Sequence, residues 1–251
     1  MMDNKWFFQT KIFEDANMNL FLFPYAGGNA TSYVKWKRYL SGQYSMYPIL
    51  YPGRGKRVNE MFAESVVEMA RFFVDDNSEL FETPFVLFGH CTGAVIAFEV
   101  CKYLENKYGK NPMGLIISCG ASPDIPIFEV DAKKLSDEEF LQLLIDTNRM
   151  DQSTAQLANF REYYLPIIKK DFIMAQNYAC DTETKIDCPI DTIIALDDEM
   201  ITAEQIRGWK KYTNGRVRSR EVTGGHYYFE KYPEMAVQIV DEILKTYQLG
   251  V

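Results

Sequence analysis

The chain has 251 residues, 47% hydrophobic and 25% charged, with 35 acidic against 27 basic side chains and a formal net charge of −8. That balance excludes a disordered polar tail and allows one domain, 1–251, with a sizeable buried core. It also excludes electrostatic capture of nucleic acid or an anionic membrane, which need clustered positive charge, and no apolar run approaches the ~20 residues that span a bilayer.

Short apolar runs alternate with helix-period segments, the pattern of βα units around a mostly parallel sheet. The N-terminus, Met1-Met2-Asp3-Asn4-Lys5, has no charged-then-apolar signal architecture, so a cytoplasmic protein is expected. Strands are predicted at 19–23, 47–51, 85–88, 115–119, 192–196 and 217–222. Continuous apolar runs such as Phe85-Val86-Leu87-Phe88 and Leu115-Ile116-Ile117 suit central strands covered on both faces. Helices are predicted at 66–75, 93–108, 203–212 and 233–247, with Thr202 and Gln205 as a capping box at the start of the third. Between 119 and 192 lie about 70 residues without a strand pattern. A second capping box, Ser136 with Glu139, leads there into Phe140, Leu141, Leu143 and Leu144. A helical pattern over 156–178 contains Pro166, a predicted break or kink. Helices inserted between two sheet strands build a lid over an α/β active site, and this insertion is expected to cover about 124–185. Its large apolar residues outnumber a single buried stripe, so some should line a pocket.

Five cysteines form an odd set with no CxxC pair, and His90 and His226 are the only histidines, so neither a disulfide framework nor a metal site is expected. Most of the thiols should be small buried hydrophobes. Cys91 differs. It stands in Gly89-His90-Cys91-Thr92-Gly93, after an apolar strand and before a helix, the G-x-nucleophile-x-G elbow with Cys in the usual place of Ser. Glycines two residues to either side let strand and helix pass closely, while the helix N-terminus favours a thiolate and any oxyanion formed. Gly224-Gly225-His226 follows the last strand, where such a fold places its general base. Asp197, Asp198 and Glu199 follow the strand before it, giving the order nucleophile, acid, histidine. His90 is expected to pack beside the elbow with its side chain pointing elsewhere. An oxyanion hole needs two backbone N–H donors, assigned to Thr92 and to Ala26 in the loop Pro24-Tyr25-Ala26-Gly27-Gly28.

These motifs together resemble the type II (editing) thioesterases of non-ribosomal peptide and polyketide assembly lines, α/β-hydrolases with a helical lid. The loop Phe23–Gly28, the run Tyr51-Pro52-Gly53-Arg54-Gly55-Lys56-Arg57, the segment 135–140, Asp187-Cys188-Pro189-Ile190 and Gly224-Gly225-His226-Tyr227-Tyr228 are similar to family motifs in order, over nearly the whole chain. The resemblance places the acid at Asp198, with Asp197 as the alternative, and implies the triad Cys91–His226–Asp198. It implies a monomer that binds no cofactor and hydrolyses acyl groups carried as thioesters on the phosphopantetheine arm of an acyl or peptidyl carrier protein. Cys91 and Thr92 depart from the family's G-H-S-M-G elbow. Acylation of Cys91 exchanges one thioester for another, so an acyltransferase passing the group to an amine or thiol is an alternative. A dienelactone-hydrolase-like enzyme fits the Cys-His-Asp set but not the loop and P-G-R-G motifs. A carrier-binding protein with an inert Cys91 is the reading from another class.

Overall fold

The computed structural model describes residues 4–126, 130–157, 159–181 and 183–250. Its strands are β1 (Asn19–Phe23), β2 (Ser45–Pro48), β3 (Phe85–His90), β4 (Gly114–Ser118), β5 (Ile190–Ala195) and β6 (Val217–Val222). All neighbours pair in parallel, in the order β2-β1-β3-β4-β5-β6. The helices are α1 (Val66–Asp76), α2 (Gly93–Tyr108), α3 (Asp137–Asp146), α4 (Gln152–Ala155), α5 (Leu165–Gln176), α6 (Ala203–Arg207), α7 (Tyr228–Lys231) and α8 (Pro233–Leu249). Among the described residues, no helix is long and apolar enough to cross a membrane.

Successive strand residues point to opposite faces, so each central strand feeds two cores. Phe21, Phe23, Leu87, Leu115 and Ile117 pack with α1, α2 and Trp209 on one face. Leu20, Leu22, Val86, Phe88 and Ile116 pack with Trp36 and α8 on the other. This is the mostly parallel sheet flanked by helices that the sequence predicts.

Three elements differ from their predicted form. The second strand covers Ser45–Pro48, pairs in parallel with β1 and meets Lys11 through an isolated antiparallel bridge at Met46. Its apolar continuation, Ile49 to Tyr51, is buried beyond the ladder, so hydrophobicity alone extends the prediction past the strand's end. The segment 203–212 is α-helical only to Arg207 and closes as a 3₁₀ turn over Gly208–Tyr212. Glycine weakens the helix there, and the three-residue spacing buries Trp209 and Tyr212 together. The pattern over 156–178 is a π turn at Phe160–Tyr164 followed by α5. Pro166 lies in the first turn of α5 directly after the π turn, so the break predicted there falls at the switch from π to α geometry. Both capping boxes are present, at Ser136/Glu139 and Thr202/Gln205.

Candidate active site

The elbow is set by the close approach of β3, α2 and the loop after β1. Cys91 has φ +53, a left-handed conformation that is uncommon outside glycine and marks stored strain. A Cβ on Gly89 would lie 2.4 Å from the Gly93 carbonyl oxygen, and one on Gly93 would lie 2.2 Å from that of Phe23. Both contacts are with backbone, so the two positions demand glycine. Cys91 N donates to Ser118 O at 2.9 Å, tying the elbow to the end of β4.

His226 follows the glycine turn after β6, and its Nδ1 lies 2.7 Å from Asp198 Oδ2, with both side chains almost wholly buried. Asp198 Oδ1 accepts from the N–H groups of Met200 and Ile201 at 2.8 and 3.1 Å, which fixes the carboxylate. Asp197 stands elsewhere: it accepts from the N–H groups of Gly224 and Gly225 at 2.9–3.0 Å and anchors the turn that carries the histidine. His226 Nε2 is buried with no hydrogen-bond partner, and Cys91 is the nearby group that acts most strongly on its charge. Burial works against an imidazolium here, but the Cys91 thiolate and the Asp198 carboxylate outweigh it and push the His226 pKa up to about 9. Burial likewise opposes a Cys91 thiolate, yet His226, Arg149 and the Thr92 N–H together hold the thiol below its ordinary value. The two shifts, the thiol down and the imidazole up, run in the directions that favour a thiolate beside an imidazolium.

His90 is fully buried, with Nδ1 2.9 Å from Ser118 Oγ, and burial keeps it neutral. It packs beside His226, ring centroids 4.9 Å apart, without adding charge. Ala26 and Thr92 are both nearly buried beside Cys91. The loop carrying Ala26 is braced by α5 and Arg54: Gly27 N donates to Asp171 Oδ2 at 2.7 Å, and Arg54 donates to Gly28 O at 2.9 Å. Arg54 also makes a two-pronged pair with Asp171, at 2.6 and 2.7 Å, and both are nearly excluded from solvent. Arg57 of the same motif points away, over the Trp6 ring and onto Glu60.

Two cavities meet at Cys91. The narrower, about 350 Å³, runs past Ser122, Asp124, Gln176 and Tyr178. The wider, about 760 Å³, lies between the Tyr25–Ser32 loop and the helical segment after β4, with Leu144, Phe160, Ile168 and Phe172 on its wall. Cys91 and Arg149 line both. Phe140, Leu141, Leu144, Phe160, Leu165 and Phe172 form a separate apolar cluster that includes Ala26, so α3 and α5 lie on the Cys91 side of the sheet. Leu157 and Tyr163 are exposed, and Met174 joins the main core. Sequence reasoning missed Asp171 and Arg149. Each is one charge in a helical or turn segment rich in charges, and each is defined by partners distant in the chain. Among the described residues one cluster, Cys119 with Asp198 and His226, has ligand atoms within 4.8 Å of one another, close enough to share a cation.

Residues 18–247 match the family model described as Thioesterase domain. The chain belongs to this thioesterase family. Among relatives, the thioesterase chain is 28% identical over 250 residues to Linear gramicidin dehydrogenase LgrE of Brevibacillus parabrevis, covering 98% of this chain and 95% of that one. It is 31% identical to Thioesterase TesA of Mycobacterium marinum, covering 88% of each. Among solved structures, the type II thioesterase BorB from the borrelidin biosynthetic cluster is 27% identical, superposes with a TM-score of 0.83 and is covered over 98% of both chains. The fold of this thioesterase is therefore that of the α/β-hydrolase type II thioesterases.

Proposed function

We propose that this thioesterase hydrolyses acyl groups held as thioesters on the phosphopantetheine arm of an acyl or peptidyl carrier protein of a peptide or polyketide assembly line. The observation that carries the reading is the Asp198–His226 contact of 2.7 Å beside a strained, thiolate-favouring Cys91 at the meeting point of two cavities. Membership of the family and likeness to a structure from the borrelidin cluster support the substrate class.

In this reading the Cys91 thiolate attacks the thioester carbonyl, and the N–H groups of Ala26 and Thr92 take up the oxyanion. Collapse of the tetrahedral intermediate breaks the bond to the pantetheine sulfur, which leaves with the proton of His226 Nε2. Acylation removes the thiolate that held His226 as an imidazolium, so the neutral ring then takes a proton from water. The resulting hydroxide attacks the Cys91 thioester and releases the acid, while Cys91 leaves as the thiolate and His226 keeps the proton, which restores the starting charges. Asp198 orients the imidazole and compensates its charge throughout. The arm occupies the wider cavity and the acyl group the narrower one, beneath a lid formed by about 124–185. Within that lid, 127–129, 158 and 182 lie outside the described residues.

The test is intact-mass analysis after mixing the enzyme with acyl-loaded carrier protein. The reading expects a transient acyl adduct on the wild type and free acid as product, with neither from Cys91→Ala. An adduct on Cys91→Ala, or no release of acid by the wild type, overturns it. The nucleophile itself favours a second reading. A Cys91 thioester retains the activation that a serine oxoester would lose, so transfer to an amine acceptor is the alternative. Amide formed by the wild type and lost in Cys91→Ser would establish it.

A further inference from the structure

β4 ends at Ser118, and the next residue, Cys119, adopts φ +46 while wholly excluded from solvent. A left-handed conformation disfavours every side chain except the smallest, so glycine would sit there with less strain. Cysteine at such a point has a cost, and residues held this way cluster where the surroundings use them. Its sulfur, an Asp198 carboxylate oxygen and a His226 ring nitrogen lie within 4.8 Å of one another. Asp198 offers about four lone-pair directions. The Met200 and Ile201 amides and His226 Nδ1 take three of them. One direction is left for another donor.

We propose that Cys119 is a positioning residue: its S–H donates to the Asp198 carboxylate and completes a line Cys119–Asp198–His226–Cys91. The assignment rests on the triad reading above and extends it by one group. Burial, then the Asp198 charge, push the Cys119 thiol far up, so it remains a protonated donor. Of the other titratable groups facing it, Cys91 adds to the rise, and Tyr228, across the sheet end, is itself kept protonated by burial and paired with Ser118 Oγ at 2.9 Å. Cys119 does not touch the reacting atoms. It fixes the carboxylate and draws off part of its charge, which tunes how firmly His226 holds its proton.

The experiment compares Cys119→Ala, Cys119→Gly and Cys119→Ser with the wild type, measuring kcat, KM, Tm and the pH dependence of kcat on one acyl-carrier substrate. Loss of the donor in Ala and Gly is expected to lower kcat about three- to tenfold with KM unchanged, the worth of a weak donor on a charged acceptor. With more carboxylate charge left for the imidazolium, the upper pH limit of activity should move to higher pH in both. Cys119→Ser, which keeps a donor, should restore both quantities. Ala and Gly variants with unmoved kcat and pH limits would overturn the proposal, as would a Ser variant as impaired as Ala at equal Tm. Asp198→Asn run in parallel separates the two levels. Full activity in it removes the triad reading and this one together, whereas a collapsed Asp198→Asn beside an unmoved Cys119→Ala removes this one alone.

Discussion

At the scale of single residues, the charge state of Cys91 and His226 sets the working range. In the proposed reaction each sustains the other, so the working thiolate–imidazolium pair would lie between the lowered thiol pKa and the His226 pKa of about 9. Alkylation of Cys91 by iodoacetamide should therefore begin below the pH at which a free thiol reacts, and in His226→Ala its midpoint should rise to the ordinary thiol value of about 8.5 or above it, since burial then opposes the thiolate. The sign for stability follows from the same shift. An imidazolium favoured in the folded state contributes fully below the ordinary histidine pKa of about 6.5, and this contribution is lost as pH rises through about 9. Melting temperatures measured from pH 6 to 10 should show that loss in the wild type and not in His226→Ala. The two neighbouring aspartates should separate cleanly. Asp198→Asn loses the group that orients the imidazole and should lower kcat by about 10²-fold or more, with little change in KM. Asp197→Asn weakens only the anchoring of the Gly224–Gly225 turn and should cost much less. These assignments were partly legible in the sequence, since chain order and motif neighbourhood narrow the acid to adjacent residues. The hydrogen-bond geometry that distinguishes them depends on how the turn after β5 folds, and spacing does not encode that.

At the scale of elements, the feature that joins the oxyanion loop to the overlying helices is the buried pair of Arg54 and Asp171. Removing one partner strands the other's charge away from water, so Arg54→Ala or Asp171→Ala should cost about 3–5 kcal/mol, or roughly 6–20 °C in Tm for a chain of this size. The double variant Arg54→Met with Asp171→Leu should recover much of that stability but not kcat, because Gly27 N has still lost its acceptor. Gly27 gives a second probe of the same joint. At φ +78, a Cβ there would sit 2.3 Å from Ile168 Cγ1. Gly27→Ala should lower both Tm and kcat, and adding Ile168→Ala should recover part of the loss by relieving the clash but not the backbone strain. Sequence pattern located the helices around this joint from their caps and apolar spacing. It did not reveal the joint, because Asp171 follows Lys169 and Lys170 and reads as a solvent-facing helix residue, while its partner is 117 positions away.

At the scale of the whole molecule, the sheet was the most legible part, because strands buried on both faces leave uninterrupted apolar runs that no surface helix imitates. The monomer expected from the resemblance is tested by light scattering, where a mass near the chain's own 29.1 kDa is the anticipated result. The two cavities have a further consequence. At about 30 Å³ per water in the liquid, the smaller one, about 350 Å³, has room for roughly a dozen waters. In the proposed reaction the two halves of the thioester would rest in separate rooms with one shared doorway at Cys91, and scission would let the carrier withdraw while the acyl group stays behind. Whatever next enters the vacated room, a water molecule or an amine, decides the product. In that reaction the order of departures would act as a turnstile, with fidelity depending on who is admitted second as much as on what was bound first.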